Sequence, residues 1–294
     1  MIRPLGPNAS ETTDMLVDPD CDAETYARLA WQAVEDLSKA DIVHMPFVRA
    51  GSVLDRLIRC GRSVGEADVA PFADLQDQTD WATYTRIIGA NSRQQLNRKR
   101  KRLSELGEFE FVAVDPVTEP DYATDLMEWM FAHKKDWAER VGKHGDWITA
   151  PEYRKFLYKW MTDPANIQQM RVYAILIDKV PIAIKLVSFC ASHVDLNIAG
   201  FHPDPQYAKY SPGFVLDEFW MKIVFEKRLN VDFGVGNEPY KLFWARDARA
   251  DVASYHIPQT LIGSTATQLW RLKRIAEERM GERKARQAEP AKAA

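Results

Sequence analysis

Two short segments carry the residue types best suited to chemistry. In the first, KYSPG, Ser211 and Pro212 are a favoured cap and a favoured first-turn residue ahead of an apolar stripe, FVLDEFWMKIVFEKR. Gly213 allows close approach to the backbone. Free N–H groups at Gly213 and Phe214, with the helix dipole, make a candidate anion site. Lys209 adds a cation, Tyr207 and Tyr210 add hydroxyls, and Asp217 one turn on opposes an anion in part. In the second segment, DFGVGNEPYK, Asp232 sits on an apolar strand, where a carboxylate needs a partner. Gly234 and Gly236 mark a bend, and Glu238, Tyr240 and Lys241 follow as acid, hydroxyl and cation. Lys241 has two readings: it pairs with Asp232 to close a turn, or it contacts a substrate phosphate or carboxylate.

Other chemistry is thinner. The run RQQLNRKRKR holds six cations at positions 93–102 without an interleaved aromatic, so its default reading is a solvated basic helix face. Histidines at 44, 133, 144, 193, 202 and 256 form no HxxxH pair, and no Cys/His set is evident, so no metal site is expected. GxSxG, GxxxxGK[ST] and GxGxxG are absent, which argues against α/β-hydrolase, P-loop and Rossmann-type sites. Trp137, beside Lys134 and Lys135, is a candidate pocket wall.

The elements around these segments are readable from periodicity. Helical spacing covers 22–38, and Ile42–Val48 reads as a strand placed at an edge by Pro46. Residues 60–80 are acidic and turn-rich, as in a linker. Helices are expected across 81–106, near 120–141 and over 152–162, with a strand over 108–115 that turns Phe109, Phe111 and Ala113 to one face. MRVYAILI, VPIAIKLVSF and HVDLNIAGF are separated only by Asp178–Lys179 and Ala191–Ser192, and such short turns join antiparallel strands. A helix from 211 and the strand NVDFGVG complete the order. In LWRLKRIAEERM, Leu269, Leu272, Ile275 and Ala276 permit either packing or assembly.

Composition bounds the whole. The chain has 294 residues, 46% hydrophobic and 28% charged, with a net charge of −3. That profile suits about two domains of a soluble, cytoplasmic protein and excludes a globally basic nucleic-acid binder. Charge is uneven, since residues 1–80 carry 7 Lys/Arg against 15 Asp/Glu. Cys21, Cys60 and Cys190 are odd in number and form no CxxC, so no disulfide framework is expected. No apolar run approaches the ~20 residues of a membrane span, the first residues have no apolar leader segment, and the tail QAEPAKAA is too polar to pack.

Five segments, NRKRKRLSELGEFEF, HKKDWAERVG, VPIAIKL, FHPDPQYAKYSPGFVL and DFGVGNEPYK, occur in an order that resembles the FemAB-like, CelD-related branch of GNAT-type acetyltransferases, over roughly residues 80–250. The resemblance implies an α+β fold with a GNAT-like mixed, largely antiparallel sheet flanked by helices, in two lobes. It implies a reduced or partial first lobe with an acidic linker over 1–80, an acyltransferase lobe over 81–262, and a basic helix and tail over 263–294. A lobe that begins part-way exposes a sheet edge, from which a homodimer or partner is expected. Acyl-CoA (acetyl-CoA) is the implied donor, with no metal, and a small-molecule amine the acceptor, in polysaccharide or cell-envelope biosynthesis. The donor's pyrophosphate then falls at Lys209, Tyr210, Ser211 and Gly213, with Phe214 in the same turn. Glu238 or Asp232 is the implied acid/base group, Lys241 orients or neutralises charge, and Tyr210 protonates the leaving thiolate. Where the family has a basic residue between the two glycines, this chain has Val235. Two other functions fit the resemblance: an aminoacyl-tRNA-dependent transferase, in which the basic run touches RNA, and a non-catalytic scaffold lobe.

Overall fold

The structure is a computed structural model, which describes residues 1–4, 12–18, 20–58, 64–141 and 150–288. Cys60, His144 and the last six residues of the polar tail lie outside the described residues. In chain order the principal elements are α1 (Ala23–Leu37), β1 (Ile42–Arg49), α2 (Val53–Ile58), β2 (Val64–Ala73), α3 (Trp81–Ile87) and α4 (Ala90–Ser104). Then follow β3 (Phe109–Val114), α5 (Pro120–Val141), α6 (Pro151–Thr162), β4 (Met170–Ile177), β5 (Val180–Phe189) and β6 (His193–Phe201). The last are α7 (Pro205–Ala208), α8 (Pro212–Glu226), β7 (Asn230–Asp232), α9 (Pro239–Ala245), β8 (Arg249–Pro258) and α10 (Leu261–Ala288). The chain divides into two compact units, Val69–Ala250 and the combination of Met1–Asp68 with Asp251–Ala294.

In the unit 69–250, strands run in the order β2-β7-β6-β5-β4-β3. All neighbours are antiparallel except β6 and β7, which are parallel. Asp178 and Lys179 both take left-handed backbone angles, φ 50° and 66°, which is the turn geometry that matches the twist of a two-residue hairpin. Helices cover both faces, which is why β4 and β5 read as nearly continuous apolar runs. On one face α8, apolar almost all round, packs Val215, Leu216, Trp220, Met221 and Val224 against Tyr173, Ile175, Val187 and Val194. Tyr84, Leu96 and Leu103 of α3 and α4 join that core. On the other face α5 and α6 bring Met127, Met130, Leu157 and Met161 onto Val172, Ala174, Ile184 and Leu186.

One expectation fails here. The supposed linker over 60–80 contains β2, from whose end the buried Pro71, Ala73 and, just past the strand, Leu75 alternate with half-buried Phe72 and Asp74, and Phe72 and Ala73 pair with Asp232 and Val231. Pro71 and the acidic residues masked this two-residue period. On β3 the expected alternation holds: Phe109 and Phe111 pack on the α8 side, with Ala113 exposed further along, and Val112 and Val114 pack on the α5 side.

In the other unit, β1 pairs antiparallel with β8 from Ile42↔Pro258 to Arg49↔Val252. The register slips between Met45 and Val48, so Pro46 falls in a bulge, where its missing N–H costs no ladder bond. A small core of Val43, Val48, Leu54, Ile58, Tyr255 and Ile257 lies there. On α10, Leu269 and Leu272 are exposed.

Candidate active site

The opening in the unit 69–250 follows from strand lengths. β6 and β7 pair only at His193↔Asn230, Val194↔Val231 and Asp195↔Asp232. β6 then continues six residues to Phe201, whereas β7 ends and the chain bends at Gly234, whose φ of +72° favours glycine. A bulge at Asn197, between the pairs Val187↔Leu196 and Leu186↔Ile198, deflects β6 at the point of parting. The chain leaves β6 at Phe201 and enters α8 at Pro212, so the helix start sits at the splayed end of the strands.

At that start Ser211 holds φ +52° and ψ +63°, a left-handed conformation that is uncommon for a residue with a side chain. Its hydroxyl does not cap the helix. It accepts instead from the Lys99 ammonium at 2.9 Å, and Lys99 also lies 5.5 Å from the Phe214 ring centroid. The basic helix α4 is therefore not only a solvated face: Lys99 reaches α8, and Arg100 pairs with Glu218 at 2.9 Å. Two donor expectations change. The Phe214 N–H is bonded to the Ser211 carbonyl, so Gly213 carries the remaining free N–H of the pair among the described residues. The space beside Gly213 is not open either, because a Cβ there would collide with the Phe201 ring. Glycine is needed here to let β6 and α8 touch. Lys209 is exposed and lies over the Tyr210 ring at 4.9 Å.

The second segment forms one network. Asp232 Oδ1 accepts from the Gly234 N–H at 2.8 Å. The buried Lys241 ammonium donates to the Val235 carbonyl at 2.6 Å and the Gly234 carbonyl at 3.3 Å, and pairs with Glu238 at 3.1 Å. Lys241 thus points to Glu238 and two carbonyls rather than to Asp232, and these contacts tie the 234–238 bend together. Gly236 adopts φ +113° and donates its N–H to the Val69 carbonyl at 2.8 Å.

Sequence reasoning missed what joins the two segments. Lys185, in the middle of the apolar run of β5, forms an ion pair with Asp217 of α8, and both side chains are almost wholly buried. Trp220 donates its indole N–H to Asp217 Oδ1 at 2.9 Å. Burial pushes the Asp217 carboxyl up and the Lys185 ammonium down, each opposed by the other's charge. Asp217 therefore does not oppose an anion at the helix start, because Lys185 neutralises it. The Lys185 ammonium also lies 5.2 Å from the Tyr240 ring and 5.9 Å from the Phe201 ring, between the α8 start and the second segment. Phe214 packs edge-on against Phe243 of α9 at 4.3 Å, closing the same junction. The signal was available: a lysine inside VPIAIKLVSF and an aspartate inside an apolar helix stripe each demand a buried partner.

The absence of a Cys/His cluster also needs correction. At the β5–β6 turn, Cys190, His193 and Asp195 lie together. Asp195, then Cys190, hold the His193 pKa up at about 10.

A mostly antiparallel sheet whose one parallel pair splays open beside a helix start is the architecture of the GNAT transferases. The chain belongs to that family: the model described as acetyltransferase (GNAT) domain matches residues 90–242, more than half of its length. Among solved structures, it resembles the C-terminal domain of a protein assigned as a lysylphosphatidylglycerol synthetase from Agrobacterium fabrum. The identity is 14%, covering 84% of this chain and 77% of that one at a TM-score of 0.54. A conserved protein of unknown function from Bacteroides thetaiotaomicron is 12% identical over 81% of this chain and 76% of its own, at 0.51. At these identities the likeness concerns the fold. No curated protein matches the sequence. Among the described residues no helix is long and apolar enough to cross a membrane.

Proposed function

We propose that the protein is an N-acyltransferase of the FemAB-like, CelD-related branch that moves an acyl group from acyl-CoA to a small-molecule amine. The observation that carries this is the set at the splayed end of β6 and β7: the start of α8, the free Gly213 N–H, and the Lys99 ammonium on Ser211. A helix start with a cation is a site for a pyrophosphate, and Ser211, Gly213 and Lys99 would hold it, with Lys209 and Tyr210 beside them and Phe214 as their packing base. Bound acyl-CoA supplies an activated thioester carbonyl. The chain contributes orientation, which removes much of the entropic barrier to amine attack. Glu238 or Asp232, on the bend held by Lys241, takes the proton from the attacking amine. Tyr210 returns a proton to the leaving thiolate. Acceptor chemistry in polysaccharide or cell-envelope biosynthesis is the setting that the motif resemblance supports.

The test is a thermal-shift titration with CoA, acetyl-CoA and longer acyl-CoAs at fixed salt. Ligand at 100 times its Kd adds about 2.7 kcal/mol, a melting shift of roughly 5–10 °C for a chain of this size. Lys99→Ala, which removes a charged contact, should weaken that binding by at least about tenfold. No shift with any CoA species would end the acyl-CoA reading. Arg98, Lys101 and Arg102, exposed beside Lys99 on α4, favour an aminoacyl-tRNA donor as the second reading. RNA binding there would weaken steeply with salt. Failure of both donors leaves a non-catalytic scaffold.

A further inference from the structure

We propose that Cys190, His193 and Asp195 form a binding site for a divalent transition cation of the zinc type at the β5–β6 turn. Cys190 directly follows β5, and its N–H donates to the His193 carbonyl at 2.8 Å, closing the turn. His193 and Asp195 are the first and third residues of β6 and so share a face of the strand. The Cys190 sulfur, a His193 ring nitrogen and an Asp195 carboxylate oxygen all lie within 4.8 Å of one another. Cys190 Sγ is 3.5 Å from Asp195 Oδ2, and His193 Nε2 is 3.3 Å from Asp195 Oδ1. A tetrahedral centre with bonds of about 2.0–2.3 Å separates neighbouring ligand atoms by roughly 3.3–3.7 Å. The two distances, one to each oxygen of the Asp195 carboxylate, are of the size that separates neighbouring ligands around zinc.

The donor set narrows the cation. Once an ion displaces the Nε2 proton of His193 and the thiol proton of Cys190 to solvent, the thiolate, imidazole and carboxylate suit borderline metals and not the hard, all-oxygen calcium and magnesium. The Ser192 hydroxyl lies 3.1 Å from His193 Nδ1, which occupies that nitrogen and leaves Nε2 to face the carboxylate and the thiol. Such an outer partner is what fixes a ligating imidazole. An ordinary surface His–Asp pair would account for two of the residues but not for a thiol on the same carboxylate. Cys190 is exposed, so the ion has an entry path and a fourth position open to solvent. Asp195 is level with Asp232 in the parallel pair, so the ion would brace β6 where β6 and β7 are joined.

The experiment uses the full chain, freed of metal with a chelator and titrated with Co²⁺ alone, then with Zn²⁺. One equivalent of Co²⁺ should bind with a near-ultraviolet sulfur-to-metal charge-transfer band, and Zn²⁺ should remove the band. Cys190→Ser should abolish it, and His193→Ala and the isosteric Asp195→Asn should each weaken binding by at least about tenfold. A chain that takes up no Co²⁺, a band that survives Cys190→Ser, or an affinity unmoved by His193→Ala and Asp195→Asn would each overturn the site.

Discussion

Lys185→Met should destabilise the protein by about 3–5 kcal/mol, measured as a fall in the unfolding free energy from denaturant titration, because it leaves the Asp217 carboxylate buried without its counter-charge. Asp217→Asn alone should cost a similar amount by stranding the ammonium. The double variant, Lys185→Met with Asp217→Asn, should return to within about 1 kcal/mol of the parent, since a neutral pair of similar volume removes both desolvation costs. The asparagine oxygen still accepts from Trp220, so the indole N–H keeps its bond. If Lys185→Met unfolds at the parent's denaturant concentration, the pair is not what holds β5 to α8. The double variant also separates fold from chemistry. Because Lys185 lies between the Phe201 and Tyr240 rings, its replacement tests whether the charge itself matters at the junction of the two motif segments.

The order strand, strand, strand, helix, strand was legible because β4 and β5 are long apolar runs, β6 alternates, and the turns between the three are too short for a crossover. Asp178–Lys179 is the clearest of these turns. What the period could not show was β2, where Pro71 and scattered acids look like a loop until β7 supplies a pairing edge. At the site, Ser211, Gly213, Asp232 and Lys241 were each visible as local chemistry, but their partners were not. Lys99 lies 112 positions from Ser211 in the chain, and Asp217 lies 32 from Lys185. No local pattern encodes such pairs. The sequence does state the demand for them, since a charge inside an apolar run must be met by something. Gly213 shows why a glycine is ambiguous: the Phe201 ring fills the space that its Cβ would take, because backbone approach serves packing as readily as binding.

Lys241 carries the second large effect, through geometry and not through contact with substrate. Its ammonium ties the Gly234 and Val235 carbonyls to Glu238, so it fixes the bend that carries Glu238. Lys241→Met should cut kcat about a hundredfold, the scale of loss expected when a reacting group is displaced by an ångström. KM for the acyl donor should change little, because the donor site proposed at the α8 start is built from other residues. Stability should fall by about 1–3 kcal/mol for the two carbonyls and the carboxylate that lose a donor. The check is steady-state kinetics with whichever acyl-CoA and amine the titration identifies, run across pH. Glu238→Gln should remove the limb of the pH profile that reports the base, whereas Lys241→Met should lower the whole profile and keep its shape. If Lys241→Met raises donor KM and leaves kcat intact, the lysine binds the donor. If Glu238→Gln keeps the full profile, the base is Asp232, held on the same bend by its bond from Gly234.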